Sequence, residues 1–252
     1  MNSPNSREFV EALFRVDSRM LSGHECYLCP MMLPTIVHTA DGSHTLLVPE
    51  LNEHYHSTNG AIAESMHVFI NAGLEAALPG KSHLRILEVG FGTGLNALLT
   101  LLHAPEIPIN YTAIEPFPPD PLLIAQLNYP QLLAKAEAGT LYKSLMSAPE
   151  NFVTKITEHF ILIKKREQIQ QINLESSTFD LVYFDAFAPD VQPELWETIV
   201  FKKIFDALAP GGILVTYSSK GLVKRILHEA GFEVERLPGP AGKRHITRAV
   251  KR

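Results

Sequence analysis

The hydrophobic pattern divides the 252-residue chain into two unlike parts. From Leu84 onward, short continuous apolar runs alternate with segments whose apolar residues recur every three or four positions. Runs of the first kind read as buried strands and those of the second as amphipathic helices. Strands are predicted over 84–89, 109–115, 159–163, 179–184 and 212–217, with a final pair near 232–237 and 245–250. Helices are predicted near 95–103, 119–128, 130–146, 167–173, 193–208 and 219–230. This alternation implies an α/β fold, a mostly parallel seven-stranded sheet with helices on both faces. Ala209-Pro-Gly-Gly212 reads as a helix stop before a strand. Ahead of Leu84 the pattern changes. Arg7 to Met20 carries a helix-like apolar period, and the runs 35–39 and 43–48 flank Asp41-Gly42, a hairpin signal. Within Leu51 to Leu78, Ser57 or Thr58 could cap a helix running to about Leu78, either an amphipathic helix with a polar entry turn or a lid over a ligand pocket with Asn59 and Glu64 facing the ligand. The expected organisation is an N-terminal extension over 1–80 (helix, β-hairpin, lid helix) and a main domain over 81–252.

Composition narrows the class. Hydrophobic residues make up 46% of the chain, enough for a buried core, and no apolar run reaches the roughly eighteen residues of a membrane span. The first residues lack the apolar core of a signal peptide, so the expected compartment is the cytoplasm. The formal net charge of −5 argues against indiscriminate nucleic-acid binding. Its distribution is uneven: Lys220 to Arg252 holds nine Lys/Arg against three Asp/Glu, which leaves −11 on the residues before it. A basic end on an acidic body is either a phosphate-binding face or an ordinary solvated surface. Cys26 and Cys29 form a C-x-x-C pair, but His24 and His38 complete no zinc spacing. No metal is expected, and free thiols are the simpler reading.

Candidate chemistry begins at Arg85-Ile-Leu-Glu-Val-Gly-Phe-Gly-Thr-Gly-Leu-Asn96. A strand breaks into Gly90, Gly92 and Gly94, then a helix begins. Glycines let the backbone approach a ligand, and the helix start offers unpaired N–H groups. Dinucleotide sites use G-x-G-x-x-G/A, and Leu95 breaks that spacing. G-x-G-x-G after Glu88 instead resembles the first motif of class I S-adenosylmethionine (SAM) methyltransferases. Glu115 ends the next predicted strand, where it can accept hydrogen bonds from a ribose diol.

Asp185 follows the buried run 181–184 at the carboxyl end of a strand, the ligand edge of such a sheet. A carboxylate there can orient an amine and take up its proton, or it can merely cap a turn. Phe187 and Trp196 could wall the pocket or pack in the core. Tyr217 to Lys220 leave another strand at the same edge. Lys243 and Arg244 follow a Gly-Pro loop, a place suited to phosphate contact.

Four stretches together carry a resemblance: Glu-Val-Gly-Phe-Gly-Thr-Gly-Leu-Asn, Asp-Ala-Phe-Ala-Pro-x-x-x-Pro-Glu-Leu-Trp, Tyr-Ser-Ser-Lys-Gly and Gly-Pro-Ala-Gly-Lys-Arg. They resemble the methyltransferase module of bacterial tRNA wobble-uridine modification, the MnmC N-terminal domain or stand-alone MnmD family. The likeness runs from about Thr35 onward and includes Asn59-Gly60 and Glu64. It implies methyl transfer from SAM to the amine of 5-aminomethyl-(2-thio)uridine in tRNA. It places Asp185 at the target amine. Glu88, Gly90, Gly92, Gly94, Asn96, Glu115, Asn59, Glu64 and Tyr55 would hold SAM. Phe187, Trp196, Tyr217, Lys220, Lys243 and Arg244 would meet tRNA. No second glycine fingerprint precedes Arg252, so the flavin oxidase of bifunctional relatives is expected to be absent. One departure concerns the adenine side: where the family class often has an acidic residue after the third strand, this chain reads Lys164-Lys-Arg-Glu-Gln, leaving Glu167 or Gln168. Two rival readings are an aminopropyltransferase of the polyamine-synthase type, whose free polyamine the acidic body would suit, and a non-catalytic SAM-binding module.

Overall fold

A computed structural model of the chain describes residues 33–252. The helix expected over 7–20, and Cys26 and Cys29, lie outside the described residues. The described chain opens with a small antiparallel sheet: β1 (Thr35–His38), β2 (His44–Val48) and β3 (Glu53–His54). The turn at Asp41-Gly42 joins β1 to β2, with Gly42 at a φ of 83°.

That turn also starts the next helix. α1 covers residues 61–77, α-helical at both ends and widened to a π-helix over Met66–Leu74. Neither Ser57 nor Thr58 caps it. Its N-cap is Gly60, and its first N–H groups find partners across the chain. Asp41 Oδ2 accepts from the Ala63 N–H at 2.9 Å, and Ser43 Oγ from the Ala61 N–H at 3.0 Å. The hairpin therefore supplies the orphan-group partners that a local cap supplies elsewhere.

The main sheet has eight strands in the order β10-β11-β9-β8-β4-β5-β7-β6. They are β4 (Leu84–Val89), β5 (Ile109–Ile114), β6 (Val153–Thr157), β7 (Phe160–Lys165), β8 (Phe179–Phe184), β9 (Leu208–Thr216), β10 (Glu233–Pro238) and β11 (His245–Val250). The five central strands, β9, β8, β4, β5 and β7, run parallel; β6, β11 and β10 pair antiparallel at the edges. The strand missing from the sequence reading is β6. It lies at the sheet edge with Val153 exposed, so it lacks the apolar run that marks a buried strand. Ala209-Pro-Gly-Gly212 is not a helix stop ahead of the strand but an irregular stretch within β9, around which the register to β8 shifts.

The helices are α2 (Leu95–His103), α3 (Pro121–Ile124), α4 (Tyr129–Leu133), α5 (Ala138–Ser147), α6 (Thr198–Ala207) and α7 (Gly221–Ala230). The helix expected over 130–146 is broken at Ala134, which takes a φ of 50°. The helix expected over 167–173 does not form. Instead the Lys203 ammonium of α6 collects the carbonyls of Ile169, Gln170 and Ile172 at 3.0, 2.7 and 3.0 Å, holding the segment as turns.

Two hydrophobic clusters cover the two faces of the sheet, and strand parity assigns residues to them. Ile86, Leu181 and Tyr183 belong to the cluster containing α1 and α2. Leu87, Val89, Val182 and Phe184 belong to the cluster containing α6 and α7. The helix that the pattern offered as a lid is thus a layer of the core, with Phe69 against Tyr183 at 5.3 Å between ring centroids. Parity also sends Glu88 and Asp185 toward the α1 and α2 side.

Candidate active site

The chain leaves β4, runs outward through β5 and β7, and returns to place β8 on the other side of β4. At this switch point the carboxyl ends of neighbouring strands diverge and leave a crevice. The glycine loop after β4 and the turn after β8 meet there: the Asp185 N–H donates to the Val89 carbonyl at 2.9 Å. Gly90 takes a φ of 90°, and a Cβ on it would lie 2.4 Å from the Asp185 carbonyl oxygen. Gly92, at a φ of 47°, faces the Tyr55 ring, which a Cβ would approach to 3.1 Å. Only glycine fits both positions without strain. Gly94 is the left-handed N-cap of α2 and lies behind the loop, outside the cavity.

The cavity is about 690 Å³ and is bounded by Tyr55, Glu64, Gly90, Gly92, Glu115, Asp185, Phe187, Tyr217 and Lys243, among others. Glu115 clamps the loop to β5. Its Oε2 accepts from the Gly92 N–H and its Oε1 from the Phe117 N–H, each at 3.0 Å. Burial raises its carboxyl above the ordinary range, while those two donors oppose the rise. Each oxygen keeps acceptor capacity on the cavity side, as a diol ligand requires.

Behind the loop lies a buried relay. Asn96, in the first turn of α2, donates through Nδ2 to Glu88 Oε1 at 3.0 Å and to Asp185 Oδ2 at 2.8 Å. Tyr111 donates its hydroxyl to Glu88 Oε2 at 2.8 Å. Burial drives the Glu88 carboxyl well above its usual range despite these two donors. Glu88 and Asn96 do not line the cavity, contrary to the expectation that both hold cofactor. Their hydrogen bonds instead link Glu88 through Asn96 to the Asp185 carboxyl. Burial pushes the Asp185 carboxyl up to about 7. The Asn96 hydrogen bond and the Lys243 charge oppose that rise, and the Glu64 charge adds to it.

The other expected site residues divide. Tyr55, Glu64, Phe187 and Tyr217 line the cavity, with the Tyr55 and Phe187 rings edge to face at 5.1 Å. Asn59 is exposed and lies outside the lining, its side chain against Gly242. Trp196 is 2% exposed, packed against Phe184 and Phe201 in the core, so it cannot stack on a base. Its Nε1 donates to the Phe187 carbonyl at 2.8 Å. With the Tyr217 hydroxyl on the Ala186 carbonyl at 2.8 Å, it pins the turn that carries Asp185. Lys220 pairs with Asp190 at the surface. Lys243, expected to face tRNA, turns into the cavity wall: it pairs with Glu64 and lies 4.2 Å from the Tyr217 ring centroid. Arg244 is exposed.

Sequence reasoning missed several wall residues. Of the two residues named for the adenine side, Gln168 borders the cavity and Glu167 does not. The turns 169–171 and Gln192 also contribute. His56 anchors the loop from below, its Nε2 2.8 Å from Thr93 Oγ1. Burial lowers its pKa to about 4, so it is neutral, with the Glu64 charge opposing and the Lys243 charge assisting that shift. A histidine flanked by polar residues gave no signal for this role. Among the described residues, no group of three or more His, Cys, Asp or Glu could hold a metal ion, and no helix is long and apolar enough to cross a membrane.

Comparison with known proteins agrees with this geometry. Residues 140–252 match the profile of a family described as S-adenosyl-L-methionine-dependent methyltransferase. The chain is 32% identical over 209 residues to the "tRNA 5-methylaminomethyl-2-thiouridine biosynthesis bifunctional protein MnmC" of Ralstonia nicotianae, covering 78% of this chain and 31% of that protein. The protein of the same name from Chromobacterium violaceum is 32% identical over 208 residues, covering 77% and 31%. A solved structure, MnmC2 from Aquifex aeolicus, superposes with a TM-score of 0.66 at 29% identity, covering 87% of this chain and 71% of that one. The chain is thus similar to the MnmC proteins and to a family of SAM-dependent methyltransferases. It spans about a third of the length of the curated MnmC relatives it matches. Its cofactor is SAM, and the cavity fits that molecule. The volume lies within the roughly 300–1,000 Å³ of small-molecule sites, and Glu115 offers diol acceptors. Glu64 and Lys243 offer one charge of each sign.

Proposed function

We propose that this chain transfers a methyl group from SAM to the amine of 5-aminomethyl-(2-thio)uridine at the wobble position of tRNA, acting in the cytoplasm. The observation that carries the reading is Asp185, a half-buried carboxyl beside the glycine loop, oriented by Asn96 and titrating near neutrality. The names of the MnmC relatives support it, since their product, 5-methylaminomethyl-2-thiouridine, carries a methylated amine. The shared third of those bifunctional proteins is taken as the methyl-transferring part.

SAM, when bound, supplies an electron-poor methyl group on a sulfonium. The protein's work lies around the acceptor nitrogen. An alkylammonium has no lone pair to attack with, so it must first lose a proton. Asp185 accepts a hydrogen bond from the amine N–H, directs the nitrogen lone pair into the cavity, and takes up the released proton directly or through water. A base with a pKa near the working pH is suited to that transfer. Asn96, Trp196 and Tyr217 hold the carboxylate and its turn still, which keeps the geometry productive. Phe187 in the wall, with exposed Arg244 and Lys220, are the residues proposed to meet the tRNA.

The test is incubation with methyl-labelled SAM and tRNA from cells lacking this modification step, followed by nucleoside analysis. Label in 5-methylaminomethyl-(2-thio)uridine is expected. Label in another nucleoside, or transfer to a free polyamine with tRNA untouched, would overturn the reading.

A further inference from the structure

Glu88 is a fully buried carboxyl that does not line the cavity. Burying such a group is costly unless its polar atoms are held. Here both oxygens are held. Oε2 meets the Tyr111 hydroxyl of the neighbouring strand β5 at 2.8 Å, so the sheet itself fixes the carboxyl, and Oε1 accepts from Asn96 Nδ2 at 3.0 Å. Asn96 in turn uses its amide in one sense only. Both contacts of Nδ2 are carboxyl oxygens, Glu88 Oε1 and Asp185 Oδ2, whereas Oδ1 is buried and finds no hydrogen-bond partner among the described residues. An orphaned buried acceptor is destabilising and calls for a reason. The bridge supplies one: joining two acceptors takes a group with two N–H bonds, and the carbonyl oxygen of that amide is what is left over.

We propose that Glu88 is a positioning residue for the acceptor side of the reaction: through Asn96 it fixes the Asp185 carboxyl by Oδ2 and leaves Oδ1 for the incoming amine. Glu88 then serves the group that meets the acceptor rather than the cofactor. The inference rests on Asp185 as that group. Either charge state of Glu88 can accept through Oε1, so the anchor is a matter of geometry and not of charge. Without it, the Asn96 amide can turn over about its Cβ–Cγ bond and aim the orphaned Oδ1 at Asp185. An acceptor facing a carboxyl favours the protonated form, and a protonated Asp185 cannot take the proton of the amine. Other groups act on Asp185 or feel it: Glu64 of α1, Lys243 ahead of β11, Tyr217 after β9 and Tyr111 of β5. All of them stay in place when Glu88 alone is changed.

The test follows the Asp185 carboxyl by carbon-13 NMR in protein labelled at its aspartate side chains, the signal being assigned by its loss in Asp185→Asn. Calorimetric titration with SAM runs beside it. The wild-type signal is expected to titrate at about pH 7. Glu88→Leu is expected to raise that midpoint to about pH 8 and to leave SAM affinity within about threefold. Glu88→Gln keeps a carbonyl oxygen for Asn96 and is expected to change neither. Added to Asn96→Ala, Glu88→Leu is expected to move the midpoint no further, because it acts through that amide. Urea melts report folding. Should Glu88→Leu not fold, the wild-type Asn96 side-chain amide decides: its protons are expected to be shielded from solvent exchange and to shift as Asp185 titrates. An unmoved midpoint in Glu88→Leu, a lowered one in Glu88→Gln, or an Asn96 amide blind to the titration would each overturn the proposal. So would a loss of SAM affinity beyond about tenfold in Glu88→Gln, which returns Glu88 to the cofactor. None of these readouts uses tRNA. A failed methyl-transfer assay therefore overturns the proposed function and not the anchor, whereas an unmoved midpoint removes the anchor and leaves methyl transfer open.

Discussion

Asp180 and Asp185 mark the two ends of β8, yet their surroundings are opposite. Asp180 is 4% exposed and meets two cations: Lys81 Nζ at 2.7 Å and Arg85 Nε at 3.1 Å, with the Arg85 N–H at 3.0 Å. Burial alone would raise its carboxyl, but these donors outweigh burial and hold it below the ordinary range. Asp185 receives one neutral donor, Asn96, and burial lifts it to about 7. The amino end of the strand thus holds a permanently ionised carboxylate that ties β4 to β8. The carboxyl end holds one that can exchange a proton at neutral pH. A perturbed carboxyl in a cleft marks function, whereas a doubly paired one marks structure.

The sharpest break in that comparison is Asp185→Asn. It keeps the shape and removes the base, so turnover of labelled methyl into tRNA is expected to fall by about 10²–10⁴, with SAM affinity within about threefold by titration. Full turnover in this variant would remove Asp185 from the mechanism. Asp180→Asn should do the reverse. It strands Lys81 and Arg85, both partly exposed, and is expected to cost about 1–3 kcal/mol in urea unfolding with turnover per folded molecule unchanged.

Next in size is the pH dependence. In the proposed mechanism ionised Asp185 is the active form, so kcat/KM should rise through about pH 7, and this limb should vanish in Asp185→Asn. The stability signs oppose each other. Asp185 titrates higher when folded than the 3.8 of an ordinary Asp. The folded chain therefore binds the extra proton between about pH 4 and 7, and stability falls as pH rises through that window. Asp180 titrates lower when folded, so its contribution is full above pH 3.8 and is lost as pH falls further. Denaturation midpoints for wild type and both Asn variants, measured from pH 3 to 8, check both directions. The smallest expected effect is that of Asn96→Ala. Loss of its N–H groups should move the acid limb above pH 7 and lower kcat/KM at pH 7 by about tenfold. An unmoved limb would show that Asn96 does not orient Asp185.

The primary structure carried the parallel core of the sheet, because buried parallel strands read as unbroken apolar runs such as Leu181 to Phe184. It carried the glycine loop, because only glycine suits Gly90 and Gly92, and it carried the position of Asp185 at the end of its strand. It did not carry the edge strand β6, whose exposed residues have no apolar run, or the turns at 169–172, which depend on Lys203 from a distant helix. Four matters were decided in three dimensions alone. Glu88 went behind the loop, to Asn96 and Tyr111, rather than into the cavity. Asn96 became the link between two carboxylates. Trp196 went to the core. Lys243 crossed to meet Glu64. The physical reason is common to all four: a local pattern specifies backbone conformation, whereas the partner of a buried polar group is chosen by whichever distant group the packed chain brings within hydrogen-bonding distance.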